Sequence, residues 1–316
     1  MAAAQTRHQV ETPAHSLAYL EATNWVGLNG HLEKLRQDFN IDNYRPEPAR
    51  EPQPDECRII VSDLHGRFHT LYRLLLAAGA INEDGSKNDG YWVCQIGDLT
   101  EGTSDSVRRD AASTLLSPGW IDCQVIGNHE LPFIAPSLDI SFGGALPKME
   151  AETQMRFNKN LRAGHYRVAL EVDGWLISHA GADPRLIDAT QSPEQLAIEI
   201  EDRFVDRLIG DKKDDALIDV VGKARGGSSA LGSVFWNDFT DLAHAYHDNP
   251  QARSLKQIVG HTRQEKEPVC YYGSLWPTDM VGTDSGGLAA LVKNGAAAEK
   301  WEPLVLERSP LPGNLS

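Results

Sequence analysis

From residue 57 onward the chain alternates short apolar runs with helix-length amphipathic stretches. CRIIVSD (57–63), YWVCQIGD (91–98) and IDCQVIGN (121–128) are nearly continuous apolar runs that end in polar residues, the pattern of strands buried on both faces. RFHTLYRLLLAAGA and SDSVRRDAASTLL, between them, carry helical spacing, so the order predicts βαβ units around a parallel sheet. Further on, YRVALEV and GWLISHAG meet at Asp173-Gly174, a hairpin signal. SPEQLAIEIEDRFVDRLIG predicts an amphipathic helix with Ser192 and Glu194 near its start and a solvated acidic face. KQIVGHT, EPVCYYG, MVGTDSGG and LAALVKNG read as strands and turns again. The predicted class is mixed α/β, with parallel strands first and antiparallel strands later. No internal repeat is present.

Residues 1–55 have a different texture. Leu28, Leu32, Leu35 and Phe39 keep helical spacing, and NYRPEPAREPQPDE follows, its four prolines favouring an extended segment. The expected organisation is a helical arm and Pro-rich linker over 1–55, then one domain over 56–316.

Composition narrows the picture. The 316-residue chain carries a formal charge of −15, which disfavours binding to nucleic acid or an anionic membrane. Its start, MAAAQTRHQVE, lacks an apolar signal region, and no apolar run reaches the roughly 20 residues of a membrane span. Cys57, Cys94, Cys123 and Cys270 show no C-x-x-C spacing and are expected to be reduced thiols in a cytoplasmic protein.

The strand ends carry the chemistry. Asp63 and His65 sit two apart where the first run stops, so both can aim at one point. Asp98 follows in QIGDLTEG, Asn128 and His129 in VIGNHE, His179 in LISHAG and His261 in IVGHT, with glycine beside or within two residues of each histidine. In open α/β sheets the carboxyl ends of parallel strands form the binding crevice, so these ends are expected to converge. Asp63, His65, Asp98, Asn128, His179 and His261 exceed the needs of one metal; with a shared carboxylate they suit two cations about 3.5–4 Å apart. Mixed imidazole and carboxylate donors favour manganese, iron or zinc over calcium, and the lack of thiolates disfavours a structural zinc.

SDLHG, GDLTEG, GNHE, SHAG and GHT, in this order, resemble the signature of the calcineurin-like metallophosphoesterases over roughly residues 57–295. The GNHE form, with Glu130, resembles the branch of phosphoprotein phosphatases and symmetrical diadenosine tetraphosphatases, and GTDSGG (282–287) resembles that branch's late motif. The resemblance implies a four-layer α-β-β-α fold, two mixed sheets packed face to face and flanked by helices. It implies that Asp63 and His65 bind one metal, Asp98 bridges, and Asn128, His179 and His261 bind the other, manganese being the first expectation. His129 would protonate the leaving oxygen with Glu101 orienting it, while Asp284 and Glu130 would hold the ligands in place rather than touch metal.

One departure bears on substrate. Where the protein phosphatases carry a phosphate-clamping arginine this chain has Gly102, which removes a bidentate contact; Arg67 and Arg225 are the candidates to replace it. GHTR, with Arg263, departs from the nuclease-like GHxH and favours the phosphatase branch. The expected activity is hydrolysis of phosphomonoesters in protein, the expected partner a phosphorylated substrate. The alternatives are hydrolysis of dinucleoside polyphosphates and, less favoured because no ligand is missing, a non-catalytic scaffold.

Overall fold

The computed structural model describes residues 49–65, 68–99, 120–131, 166–188, 190–209, 215–265, 267–279 and 288–306. Arg67, Glu101, Asp284, the expected helix over 104–116 and residues 1–48 lie outside them.

Among the described residues ten strands form two sheets. The larger has the order β10-β9-β1-β2-β3-β4. Its members are β1 (Cys57–Val61), β2 (Tyr91–Gln95), β3 (Cys123–Val125), β4 (Tyr166–Arg167), β9 (Leu288–Asn294) and β10 (Glu302–Leu306). Strands β1 to β4 run parallel, and β9 and β10 close one side antiparallel. The smaller sheet orders β5 (Ala169–Val172), β6 (Trp175–Ser178), β7 (Gln257–Val259) and β8 (Leu275–Pro277). Here β5–β6 is the antiparallel hairpin read from Asp173-Gly174, but β6–β7–β8 are parallel, not antiparallel as expected.

The two faces of β1 and β2 explain the layering. Ile60, Trp92 and Cys94 share one apolar cluster with Leu170, Val172, Ile177, Ile258 and Trp276 of the second sheet, so this is the inter-sheet core. Ile59, Val61 and Val93, on alternate positions, join the cluster containing Leu71, Leu74 and Leu75 of α1 (Phe68–Ala77). Helix α2 (Pro193–Ile209) buries Leu196, Ile200 and Phe204 and lies against β5 and β6, completing the four layers. Its first turn is a capping box, though with Gln195 rather than Glu194. The Ser192 Oγ accepts the Gln195 N–H (3.2 Å) and the Gln195 Oε1 accepts the Ser192 N–H (3.0 Å).

The run YRVALEV, read as one strand, divides between sheets at Val168. The backbone N–H groups of Val168 and Ala169 at the crossing donate to Glu201 of α2 (2.5 and 3.2 Å), which satisfies donors that the break would strand. The end of the Pro-rich segment lies against the large sheet: Arg50 pairs with Glu56 and Asp122, and its carbonyl accepts the Trp92 indole N–H. Among the described residues no helix is long and apolar enough to cross a membrane.

Candidate metal centre

Because β1, β2 and β3 are parallel, their carboxyl ends open onto one edge, and β6, β7 and β8 repeat the arrangement in the second sheet. Asp63, Asp98 and Asn128 follow the first three strands; His179, His261 and Asp279 follow the second three. His65, Asp98, Asn128, His129, Arg225 and His261 are among the groups lining a cavity of about 470 Å³.

Asp98 is the hub. Its Oδ2 lies 3.8 Å from His65 Nε2 and 3.6 Å from His129 Nε2, and its Oδ1 lies 3.4 Å from His179 Nε2. Two ligand groups therefore share it, His65–Asp98–His129 and Asp98–His179–His261. His179 Nδ1 lies 3.0 Å from the Ile96 carbonyl, which can only accept, so this nitrogen carries the proton and Nε2 offers its lone pair. That lone pair faces Asn128 Oδ1 at 2.9 Å and His261 Nδ1 at 3.1 Å. Asp63 stands beside these groups, its Oδ2 accepting the His261 backbone N–H at 2.9 Å.

The electrostatics of the cluster suit a cation. Burial pushes the Asp98 carboxyl up to about 8, and Asp63 is raised well above the carboxylate range by burial and then by the charges of Asp279 and Asp98. Burial lowers His179 to about 3 and holds His261 neutral as well. Asp63 Oδ1 and His261 Nε2 are buried with no hydrogen-bond partner among the described residues. Neutral imidazoles and crowded carboxylates at a buried cluster are what a divalent cation satisfies, and the N/O donor set fits manganese, iron or zinc.

The backbone has been bent to make this crevice. His65, Asp98 and His261 adopt φ of 45°, 53° and 64°, a left-handed conformation uncommon for residues with a Cβ. Two glycines admit the ligands: a Cβ on Gly127 would lie 2.2 Å from Asp98 Oδ1, and one on Gly260 would lie 2.0 Å from Asp63 Oδ1.

No family model and no curated protein sequence matches the chain. Solved structures do. A cold-active protein-tyrosine phosphatase of the psychrophile Shewanella sp. superposes with a TM-score of 0.53 at 15% identity, covering 86% of this chain and 85% of that one. A protein serine/threonine phosphatase from Saccharomyces cerevisiae superposes with a TM-score of 0.50 at 15% identity, covering 94% and 98%. A diadenosine tetraphosphatase-like protein gives 0.49 at 14% identity, covering 83% and 98%. The fold is that of the metallophosphoesterases.

Within this fold, Arg225 is the described arginine singled out from the sequence, and it reaches the cavity. Its Nη2 donates to Thr262 Oγ1 (2.5 Å) and to the His261 carbonyl (3.3 Å) and lies 3.2 Å from Asp238 Oδ2. Arg263 also lines the cavity, from an exposed position. Trp236 meets His261 edge-on at 5.9 Å between ring centroids, so it is both core and cavity wall. Glu130 is fully buried behind Asp98. The residue that sequence reading missed is Asp279, buried at the cavity wall. Its signal was present, an acid two positions past a strand, as Asp63 is past β1.

Proposed function

We propose that the protein is a metal-dependent phosphoesterase with a dinuclear centre that hydrolyses phosphomonoesters, phosphoproteins being the substrate class. The observation that carries this reading is the sharing of Asp98 between two ligand groups. Asp63, His65 and Asp98 would hold one cation, and Asp98, Asn128, His179 and His261 the other. The cations, manganese in the first instance, would supply Lewis acidity toward the phosphoryl oxygens and a nucleophile at neutral pH.

The chain's own groups do the rest. The His129 backbone N–H donates to Asp98 Oδ1 (3.1 Å), which fixes the ring at the cavity, where it would protonate the leaving oxygen. Arg225, held by Thr262 and Asp238, presents a guanidinium for the phosphate in the absence of an arginine at Gly102. Asp279 adds negative charge to the wall and with it a further attraction for cations. The free thiols fit a reducing, cytoplasmic setting.

The test is phosphate release by manganese-loaded protein from phosphopeptides and, in parallel, from diadenosine tetraphosphate, with H129N as the comparison. Release from phosphopeptides, slowed about 10²–10⁴-fold in H129N while its metal content is kept, is expected. Preference for the dinucleotide would move the substrate class, and release from neither would leave a scaffold. Loss of a metal from H129N would make His129 a ligand instead, a role its place in the first group also permits.

A further inference from the structure

We propose that Arg263 is a specificity-determining residue of the site, a cation that meets a second acidic group on the substrate beside the phosphate that is cleaved. The proposal rests on the phosphoesterase reading above and narrows its substrate class to phosphopeptides with a second oxyanion, carboxylate or phosphate, next to the phosphorylated residue. Among the described groups lining the cavity, Arg225 and Arg263 are the arginines, and there is no lysine. They differ in what they hold. The Arg225 guanidinium is occupied from within the protein, by Thr262, the His261 carbonyl and Asp238. Arg263 is exposed, and among the described residues its guanidinium has no hydrogen-bond or ion-pair partner.

The backbone that carries Arg263 is tied on both sides. The Thr262 N–H donates to the Gly260 carbonyl (2.7 Å), and the Gln264 N–H donates to the Asp279 carbonyl (2.7 Å). The Gln264 side-chain amide donates back to the Thr262 carbonyl (2.8 Å), spanning the residue between them. Arg263 is thus held two positions beyond His261 with an unengaged guanidinium at the cavity. Most exposed arginines are simply solvated; this one stands at a wall that otherwise repels an acidic substrate. Asp98, Asp238 and Asp279 line the same cavity, in a chain of net charge −15. In the proposed function the cleaved phosphate is drawn by the cations and Arg225. A second oxyanion arriving with it has Arg263 to answer it, and the planar guanidinium can take a carboxylate or a phosphate in two parallel hydrogen bonds.

The test is kcat/KM of manganese-loaded protein on three versions of one phosphoserine peptide, with glutamine, glutamate or a non-hydrolysable phosphonate residue next to the phosphoserine. Wild type should favour an acidic neighbour over glutamine by about tenfold, the scale of one charge-assisted pair, and mainly through KM. R263A should bring that ratio close to one and R263E should invert it, while R263K, which keeps the charge but not the fork, should retain part of it. Using the ratio cancels any general loss of activity in a variant. K256A is the control, since Lys256 is an exposed cation at the opposite end of β7, against Trp175, and its removal should leave the ratio as in wild type. The larger of the two acidic ratios, if R263A abolishes it, names carboxylate or phosphate as the source of the second oxyanion. Equal rates on all three peptides in wild type, or a preference that survives in R263A, would overturn the proposal and leave the phosphoesterase reading standing. Wild-type protein that releases phosphate from none of the peptides would overturn that reading, and this proposal with it.

Discussion

Asp279 is a buried carboxylate at a cavity wall that already holds Asp63 and Asp98, and its charge is the largest of the neighbouring charges that raise Asp63. Three such carboxyls resist ionising together in the metal-free protein and, once ionised, attract a cation together. D279N should therefore have opposite effects on two measurements. Above about pH 8, where the Asp98 carboxyl is ionised, the metal-free variant should unfold at a higher temperature because a buried repulsion is relieved, and calorimetry should show manganese affinity reduced about tenfold or more, roughly 1.4 kcal/mol. A variant that lost stability without losing affinity would mean that Asp279 serves packing. At this scale the convergence of the strand ends was legible: Asp63, His65, Asp98, Asn128, His179 and His261 were singled out because each follows an apolar run, and the structure brings them to one edge. Asp279 was passed over because the late motif was sought a few residues further on, at GTDSGG, which lies outside the described residues.

Among the elements, local chemistry decided what could be read. The largely apolar, buried β1, β2 and β3 announced themselves, whereas β10 begins Glu-Pro, is exposed or half-buried throughout, and gives no periodicity. EPVCYYG looked like a strand through its β-forming residues, but Tyr272 and Gly273 take φ of 55° and 72° and form the turn into β8. There Tyr271 meets Phe239 edge-on and Tyr272 lies under Arg253, so the aromatics serve the turn's packing. The direction of β7 and β8 could not be read from spacing, because strand orientation is set by the intervening chain, including α3 (Phe239–Asp248), which returns β7 to run alongside β6. Parallel pairing is what sends His261 and Asp279 to the same edge as His179. The glycines at these ends give a prediction about elements rather than side chains. In G260A the new methyl would meet Asp63 Oδ1, on a carboxylate whose Oδ2 is pinned by the His261 N–H, so one strand end must move. Expected are a loss of about 1–3 kcal/mol in unfolding free energy and reduced manganese per chain by elemental analysis; full metal content would show that the crevice has slack.

For the whole molecule, the centre concentrates a conflict that the net charge of −15 only hints at. In metal-free protein the Asp98 carboxyl keeps its proton up to about pH 8, Asp63 is raised in the same direction, and unfolding returns both to the ordinary carboxylate range near 3.9. The native state thus binds more protons than the unfolded chain, so this contribution to stability is present at low pH and is lost as pH rises through the folded values. His179 and His261 act oppositely, since they stay neutral when folded but take up protons when unfolded; they increase stability with pH, but only up to about 6.5. Between about pH 6.5 and 8 these histidines no longer offset the carboxyls. The melting temperature of metal-free protein should fall across that window, by up to about 1.4 kcal/mol of stability per pH unit for each carboxyl still protonated. A bound divalent cation requires the same groups as anions and competes with their protons, so manganese should flatten or reverse the slope, and its binding should release protons to the buffer. Thermal unfolding at several pH values, with chelator and with manganese, separates the two cases. Identical slopes in both would mean that the buried carboxylates do not take up the cation, and the constellation at the strand ends would then be a costly structural network rather than a metal centre.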